Sequence, residues 1–325
     1  MTHVLPAAWT GRNDLEEGPE ASRWHQSIRS WSQAQSGCTA LIGFACDIGV
    51  RRNHGRAGAA AGPAALRAAL ANVPVHGALH LRDAGDIADA KADGSDDNLE
   101  SLQDEYASLV AQIVRGESLA IGLGGGHEIA WGSWCGLLAG LGSGAAGRRV
   151  GIVNFDAHFD LRAGERATSG TPFRQIAEHC QRTGRPFDYC CIGVSRYANT
   201  QPLFARAQNL GVTYLLDEEL LVSDLAAAHR RVADFLAPLD ALYLTFCLDV
   251  LPAGVAPGVS APAARGVGLE VLEPLLDRVL GSGRVRIADI AELSPRFDID
   301  QRTARVAARL VARIADTVGR RASVP

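Results

Sequence analysis

Segments typical of buried strands alternate with segments typical of helices along most of this 325-residue chain. Several strand segments are continuously apolar, for example Thr39-Ala-Leu-Ile-Gly-Phe-Ala-Cys46, whereas the segment from Leu99 to Arg115 has apolar residues at helical spacing. Strands that are apolar on both faces are typical of a parallel sheet that helices cover on both sides. We therefore predict an α/β fold of three layers, α/β/α, around a mostly parallel sheet.

The first 36 residues differ from the rest of the chain, because they are polar, contain several tryptophans and are only weakly periodic. We expect residues 1–36 to form an N-terminal arm. No linker, composition shift or internal repeat divides the remainder, so we expect residues 37–325 to form a single domain. The sequence predicts further helices over residues 62–71, 173–181, 221–236, 269–280 and 301–318, and a glycine-rich loop over residues 47–58.

Composition and charge narrow the class of partner. The net charge is −4 and the isoelectric point is about 6.1, which argues against nucleic acid or an anionic membrane as the main partner and leaves a small molecule. No apolar run approaches the roughly 20 residues of a membrane span. The seven cysteines have no repeating spacing, and the N-terminal residues do not have the pattern of a signal peptide. We therefore expect a cytoplasmic protein.

The strand that begins at Val150 ends in Asp156-Ala-His-Phe-Asp160, with three polar residues at alternate positions. Alternate side chains of a strand project from the same face, so Asp156, His158 and Asp160 are directed to one place. Such a group at the end of a buried strand is costly unless a cation satisfies it. This stretch therefore predicts a metal site.

Other predicted strands also end in polar residues, namely His127, the pair Cys247 and Asp249, and Glu292. Taken singly, these residues have ordinary explanations, such as a structural histidine or a buried thiol. Because the carboxyl ends of parallel strands meet at one edge of the sheet, we expect them to converge with the first group. More than four ligands favour two metal ions, and carboxylates with imidazoles suit Mn²⁺, Zn²⁺, Ni²⁺ or Fe²⁺.

Three of these motifs, Gly-Gly-Gly-His127, Asp156-Ala-His-Phe-Asp160 and the segment that ends at Asp249, resemble the metal motifs of the arginase/agmatinase ureohydrolase family. The Gly62-Pro63 turn and the Glu292-x-x-Pro295 turn also fit this family. The resemblance implies an arginase-like fold, a homo-oligomer and a dinuclear Mn²⁺ site whose bridging hydroxide attacks a guanidinium or amidine carbon. It implies these metal ligands: His127, Asp156, His158, Asp160, Cys247 and Asp249.

Cys247-Leu-Asp249 departs from the Asp-x-Asp pattern of the family, in which the first aspartate bridges both metals. A thiolate is a softer ligand that prefers Zn²⁺ or Fe²⁺ to Mn²⁺. We therefore keep Cys247 as an expected ligand and leave Zn²⁺, Fe²⁺ and Ni²⁺ open beside Mn²⁺. A metal-poor relative without catalytic activity is an alternative.

The loop after Asp160 reads Thr168-Ser-Gly-Thr-Pro-Phe-Arg174 and lacks the histidine of the arginase branch. Together with Ser195-Arg-Tyr-Ala-Asn-Thr200 and Ala256-Pro-Gly-Val-Ser-Ala-Pro262, it resembles the formimidoylglutamase branch. That resemblance implies hydrolysis of N-formimidoyl-L-glutamate to L-glutamate and formamide, a reaction of histidine catabolism. An enzyme that hydrolyses guanidino acids or agmatine is the alternative within the family.

A substrate with two carboxylates requires cationic partners, and arginine binds carboxylates with two parallel hydrogen bonds. Among the arginines near the expected site, which include Arg162 and Arg166, we predict that Arg174 and Arg196 bind the substrate. We expect Ser169 and Glu292 to contact it as well. Glu292 and Asp160 are the expected catalytic residues. By the resemblance, Glu292 pairs with the cationic C–N group, and we expect either Asp160 or a metal-bound water to deliver a proton to the leaving amine.

Overall fold

The computed structural model describes residues 9–33, 36–77, 79–88, 98–142 and 147–322, and its strands form one nine-stranded sheet. All pairs of neighbouring strands are parallel, and the order is β1-β3-β2-β4-β9-β8-β5-β6-β7. The strands are β1 (Arg29–Ser30), β2 (Thr39–Ala45), β3 (Leu81–Ala88), β4 (Leu119–Gly124), β5 (Val150–Phe155), β6 (Asp188–Val194), β7 (Thr213–Leu216), β8 (Ala241–Cys247) and β9 (Val285–Ala291).

Helices connect most of these strands. They are α1 (Trp24–Ser27), α2 (Ile48–Arg52), α3 (Gly62–Leu70), α4 (Leu99–Arg115), α5 (Ile129–Leu141), α6 (Pro172–Thr183), α7 (Gln201–Asn209), α8 (Leu225–Leu236), α9 (Leu269–Gly281) and α10 (Arg302–Ala322). The predicted helices are present, and their ends differ by a few residues from the prediction. The predicted loop over residues 47–58 was wrong in part, because α2 occupies its first half.

Two apolar cores separate three layers. Alternate residues of β5 belong to different cores: Val153 and Phe155 pack with residues of α3, α8, α9 and α10, whereas Val150 and Ile152 pack with residues of α4, α5, α6 and α7. Both faces of the sheet are therefore buried, as the continuously apolar strands indicated. This confirms the predicted α/β/α class.

Helix α5 was not predicted because it lacks an amphipathic pattern. It is apolar on nearly all sides, and most of its residues are buried. Its glycines allow close packing against α4: a Cβ atom at Gly136 would lie 2.6 Å from Cβ of Val110, and a Cβ atom at Gly140 would lie 2.6 Å from Cβ of Val114. A helix that is buried on all sides cannot be distinguished from a strand by periodicity alone.

The N-terminal residues that the structure describes lie against their own chain. Strand β1 pairs with β3 at the edge of the sheet, and Trp24 is buried. Trp9 Nε1 donates a hydrogen bond of 2.8 Å to Asp83, which also pairs with the buried guanidinium of Arg67. Residues 1–8 of the expected arm lie outside the described residues. No described helix combines the length and the apolar composition that crossing a membrane requires.

Candidate metal centre

Four adjacent central strands, β4, β9, β8 and β5, bring the predicted metal and catalytic residues together. Their carboxyl ends lie side by side, because parallel strands all end at the same edge of the sheet. The residues that they contribute are His127 after β4, Glu292 after β9, Cys247 and Asp249 at the end of β8, and Asp156, His158 and Asp160 after β5.

Glycines after β4 allow the backbone to carry His127 over the sheet. A Cβ atom at Gly125 would lie 1.8 Å from the carbonyl oxygen of Cys46, so only glycine fits there without displacing β2. The carbonyl of Gly125 accepts a hydrogen bond from the backbone N–H of Glu292, and the N–H of His127 donates to Oε1 of Glu292. The ends of β4 and β9 are thus held together at the site.

The imidazole of His127 faces two carboxylates. Its Nδ1 atom lies 3.0 Å from Oδ2 of Asp156 and 3.0 Å from Oδ2 of Asp160. These contacts lack hydrogen-bond alignment, and Nδ1 has no hydrogen-bond partner among the described residues. His127, Asp156 and Cys247 each offer one ligand atom, and these atoms lie within 4.8 Å of one another. This arrangement of lone pairs fits a cation rather than a set of hydrogen bonds.

A second group of ligand atoms lies beside the first. The Nδ1 atom of His158 is 3.1 Å from Oδ2 of Asp249 and 3.5 Å from Oδ1 of Asp156. Asp156, His158 and Asp249 also offer ligand atoms within 4.8 Å of one another. Asp156 belongs to both groups, so its two carboxylate oxygens face two different imidazoles. This donor set would fit two divalent cations, with Asp156 able to offer an oxygen to each.

Both predicted catalytic residues have strained backbones. The φ angle is 48° at Asp160 and 73° at Glu292, in the left-handed region that residues other than glycine rarely adopt. Such strain persists only where the surrounding structure maintains it, and it is concentrated at functional sites. Its presence at both residues supports a functional site here.

The buried acids of the cluster shift the pKa values of their neighbours. Burial and the charge of Asp156 raise the pKa of Asp160 to about 6. Burial also raises the pKa of the Cys247 thiol and of the Glu292 carboxyl well above their usual values, and neighbouring carboxylates add to both shifts. At Asp156, burial raises the pKa, but the adjacent imidazoles of His127 and His158 outweigh burial and lower it. Buried acids that raise one another's pKa are typical of a site that holds positive charge.

Thr245 is a residue of the site that the sequence analysis missed. Its Oγ1 lies 3.0 Å from Nε2 of His127, opposite the nitrogen that faces the carboxylates. A hydrogen bond to one ring nitrogen fixes the tautomer that leaves the other nitrogen free to bind metal. The sequence does contain a pattern that indicates this role, because Thr245 precedes Cys247 by two residues and so projects from the same face of β8.

A cavity of about 310 Å³ opens above the cluster. Of the predicted substrate-binding residues, Ser169 and Glu292 line this cavity, whereas Arg174 and Arg196 do not. Arg174 is engaged elsewhere: its guanidinium donates to the carbonyls of Arg162 and Gly164 and pairs with Glu178. Arg196 is exposed, with Nε 3.4 Å from Glu218. The structure thus gives neither arginine a place in the wall of the cavity.

Comparison with known proteins agrees with this geometry. The chain is 55% identical over 320 residues to formimidoylglutamase of Ralstonia nicotianae, with 98% of this chain and 97% of that protein covered. It is 50% identical over 316 residues to formimidoylglutamase of Aromatoleum aromaticum, with 96% and 93% covered. The crystal structure of Trypanosoma cruzi formiminoglutamase with Mn²⁺ superimposes with a TM-score of 0.78 at 25% identity, covering 94% of this chain and all of that one.

The model of the arginase family matches residues 38–316. This range contains all nine strands except β1 and every residue of the acid and imidazole cluster. A match of this length, together with relatives that are about half identical over nearly the whole chain, shows that the protein is a hydrolase of the arginase family.

Proposed function

We propose that this protein hydrolyses N-formimidoyl-L-glutamate to L-glutamate and formamide. The observation that carries the proposal is the cluster of acids and imidazoles at the ends of the central strands, in a chain that is 55% identical to a formimidoylglutamase over 320 residues. The cavity above the cluster is of a size that suits a small molecule. On this proposal the enzyme acts in the cytoplasm as a homo-oligomer.

The cluster would hold two Mn²⁺ ions, with His127, Cys247 and Asp160 on one side, His158 and Asp249 on the other, and Asp156 between them. When bound, such a pair of ions supplies an activated water molecule at neutral pH and stabilises negative charge as the C–N bond is cleaved. The Mn²⁺ in the structure of the T. cruzi relative supports this choice of metal. The residues of this chain fit such a pair, because Asp156 faces an imidazole with each of its oxygens.

Glu292 would bind the cationic –NH–CH=NH₂⁺ group of the substrate. Its Oε1 accepts the N–H of His127, whereas its Oε2 has no hydrogen-bond partner among the described residues, and the side chain lines the cavity. A carboxylate fixed in this way attracts an amidinium and orients it above the cluster. Asp160 lines the same cavity and is our candidate for the group that delivers a proton to the leaving amine.

The choice of metal depends on Cys247, which is buried at the end of β8 beside the cluster. We expect Cys247→Asp to tighten Mn²⁺ binding by about tenfold or more, because a hard carboxylate replaces a soft sulfur ligand. The thiol of Cys247 must also lose its proton before it can bind a metal ion. Competition between Mn²⁺ and Zn²⁺ in isothermal titrations of both proteins measures this change. Cys247→Ser, which offers neither thiolate nor carboxylate, is the matched control. If Cys247→Asp bound Mn²⁺ no better than Cys247→Ser, Cys247 would not be a ligand.

The substrate is tested by comparing turnover of formimidoylglutamate, 4-guanidinobutyrate and agmatine by the Mn²⁺-reconstituted enzyme. We expect kcat/KM for formimidoylglutamate to exceed that for agmatine by on the order of 100-fold or more, because agmatine lacks both carboxylates. Faster turnover of guanidinobutyrate or agmatine would favour the alternative activity within the family. Fewer than one metal per chain, together with no amidine hydrolysis, would contradict catalysis altogether.

A further inference from the structure

We propose that Arg162, rather than Arg174 or Arg196, binds a carboxylate of the substrate, together with Asn53 and Ser169. This inference rests on the proposed function and assigns the part of the cavity that distinguishes an anionic substrate from a cationic one. It follows from which arginines line the cavity and from what each guanidinium already contacts.

Two arginines, Arg56 and Arg162, are among the described residues that line the cavity above the metal cluster. Arg56 already has partners: its Nε donates to the carbonyl of Ser260 at 2.8 Å, and its Nη2 donates to the carbonyl of Val259 at 2.6 Å. Its guanidinium also lies over the ring of Phe297, 4.1 Å from the centroid. Arg56 therefore fixes the loop after β8 and offers the cavity little donor capacity.

Arg162 differs from Arg56, because its guanidinium makes no hydrogen bond or ion pair with any described residue. Its side chain lies across Gly170, where a Cβ atom would be 2.7 Å from Cδ and 3.1 Å from Nε of Arg162. The same Cβ atom would be 3.1 Å from Nδ2 of Asn53, so the guanidinium side chain and the amide converge over this glycine. Asn53 Nδ2 donates to Oγ of Ser169 at 3.2 Å.

Arg162, Asn53 and Ser169 thus form one patch of donors on the cavity wall. It combines a free planar cation with an amide and a hydroxyl, which is the set of groups that binds a carboxylate with two or more hydrogen bonds. The patch shares the cavity with His127 and Glu292, which lie at the metal cluster. One molecule can therefore present an amidinium to Glu292 and a carboxylate to Arg162.

The loop that carries Arg162 is held in place by its own hydrogen bonds. The N–H of Arg162 donates to the carbonyl of Gly170 at 2.9 Å. Arg174 supports the same loop from α6, with Nε 2.7 Å from the carbonyl of Arg162 and Nη2 2.8 Å from the carbonyl of Gly164. Arg174 is therefore a positioning residue for Arg162. It fixes the backbone of Arg162 before a carboxylate binds, which lowers the entropic cost of binding.

A second cavity of about 760 Å³ lies outside the first and shares Asn53, His54 and Arg162 with it. Arg162 thus lies at the junction of the two cavities. The outer cavity is lined by further arginines, namely Arg51, Arg52, Arg166 and Arg206, with Glu165 as its one carboxylate among the described lining residues. Two of these arginines pair with carboxylates, Arg51 with Asp47 and Arg52 with Glu100, and the charge beside Arg162 still stays positive. Such a charge favours a dianion over a cation such as agmatine.

The test compares two substrates in the Mn²⁺ holoenzyme. We expect Arg162→Gln to raise KM for formimidoylglutamate by about 10- to 100-fold, because the charge-assisted hydrogen bonds between the guanidinium and a substrate carboxylate are lost. For N-methylformamidine, an amidine that has no carboxylate, we expect kcat/KM to change less than threefold. Arg162→Lys, which keeps the charge but loses the planar fork, is expected to give an intermediate KM. Arg182→Gln is the matched control, because Arg182 is exposed in the last turn of α6 and lines neither cavity.

An unchanged KM for formimidoylglutamate in Arg162→Gln would overturn the proposal, and so would an equal loss with both substrates. The proposed function is judged separately by the wild-type enzyme. If the wild-type enzyme hydrolyses guanidinobutyrate instead, the same variants are compared on guanidinobutyrate and agmatine. A rise in KM confined to guanidinobutyrate then supports the carboxylate-binding role of Arg162, and equal effects on both substrates reject it.

Discussion

Replacing Asp156 with asparagine is expected to abolish binding of both metals and to lower kcat/KM by on the order of 10³-fold or more. The metal ions supply several kcal/mol of transition-state stabilisation, and about 1.4 kcal/mol corresponds to each tenfold change in rate. Asp156 belongs to both groups of ligand atoms, so neither group is complete without it. Metal content by elemental analysis and kcat/KM after reconstitution with Mn²⁺ measure the effect.

Thermal unfolding measurements distinguish loss of metal binding in Asp156→Asn from misfolding of the variant. Asp156 is fully buried near Asp160 and Asp249, and its charge raises the pKa of both. Asp156 itself has a lowered pKa and accepts hydrogen bonds from Nδ2 of Asn154 and the N–H of His158, so its charge stabilises the folded state. We therefore expect the metal-free variant to melt somewhat lower than the metal-free wild type but still to unfold cooperatively. With Mn²⁺, the wild type gains stability that the variant lacks. Asp234→Asn, an exposed change on α8, is the control. Retention of both metals by Asp156→Asn would refute the shared-ligand arrangement.

Replacing Glu292 with glutamine is expected to lower kcat/KM by about 10²- to 10³-fold while metal content stays the same. Loss of one charged group that stabilises a transition state typically has an effect of this size. Glutamine keeps an oxygen that can accept the N–H of His127, so the junction between β4 and β9 is preserved. What it lacks is the negative charge at Oε2, the atom without a hydrogen-bond partner among the described residues. Steady-state kinetics and metal analysis of the same preparation provide the measurement.

Glu105→Gln, on helix α4 and outside the lining of the cavity, is the matched control for this substitution. If Glu292→Gln lost metal in proportion to activity, Glu292 would act through the metal cluster rather than on the substrate. A variant with undiminished kcat/KM would remove Glu292 from the mechanism. Asp156→Asn and Glu292→Gln therefore separate metal binding from substrate orientation.

The residues of the cluster could be found from the sequence because each lies at or just after the end of a strand with a clear apolar pattern. Asp156, His158 and Asp160 follow β5, and Cys247 with Asp249 ends β8, in both cases at the spacing of two that projects side chains to one face. The arginine that we propose to bind the substrate could not be found in the same way. Arg162 lies on a loop, where no periodicity relates a position in the sequence to a direction in space.

Arg162 and Arg174 illustrate this limit. Both belong to the segment after β5, and both are arginines near an expected anionic substrate. The path of the loop alone places the Arg162 side chain over Gly170 in the cavity wall and places that of Arg174 under the loop, against two carbonyls and Glu178. The same reasoning applies to α5, whose uniform apolar surface contains no pattern that assigns it to a helix.

By itself, the sequence determined the three-layer parallel α/β class and the residues that gather at the strand ends, because strand periodicity and the location of sites in parallel sheets are local and general rules. Only the tertiary structure decided that β9 lies between β4 and β8, that Asp156 faces both His127 and His158, and that Arg162 rather than Arg174 lines the cavity. Strand order and loop paths depend on packing between residues far apart in the chain, and the local pattern of a sequence does not contain that information.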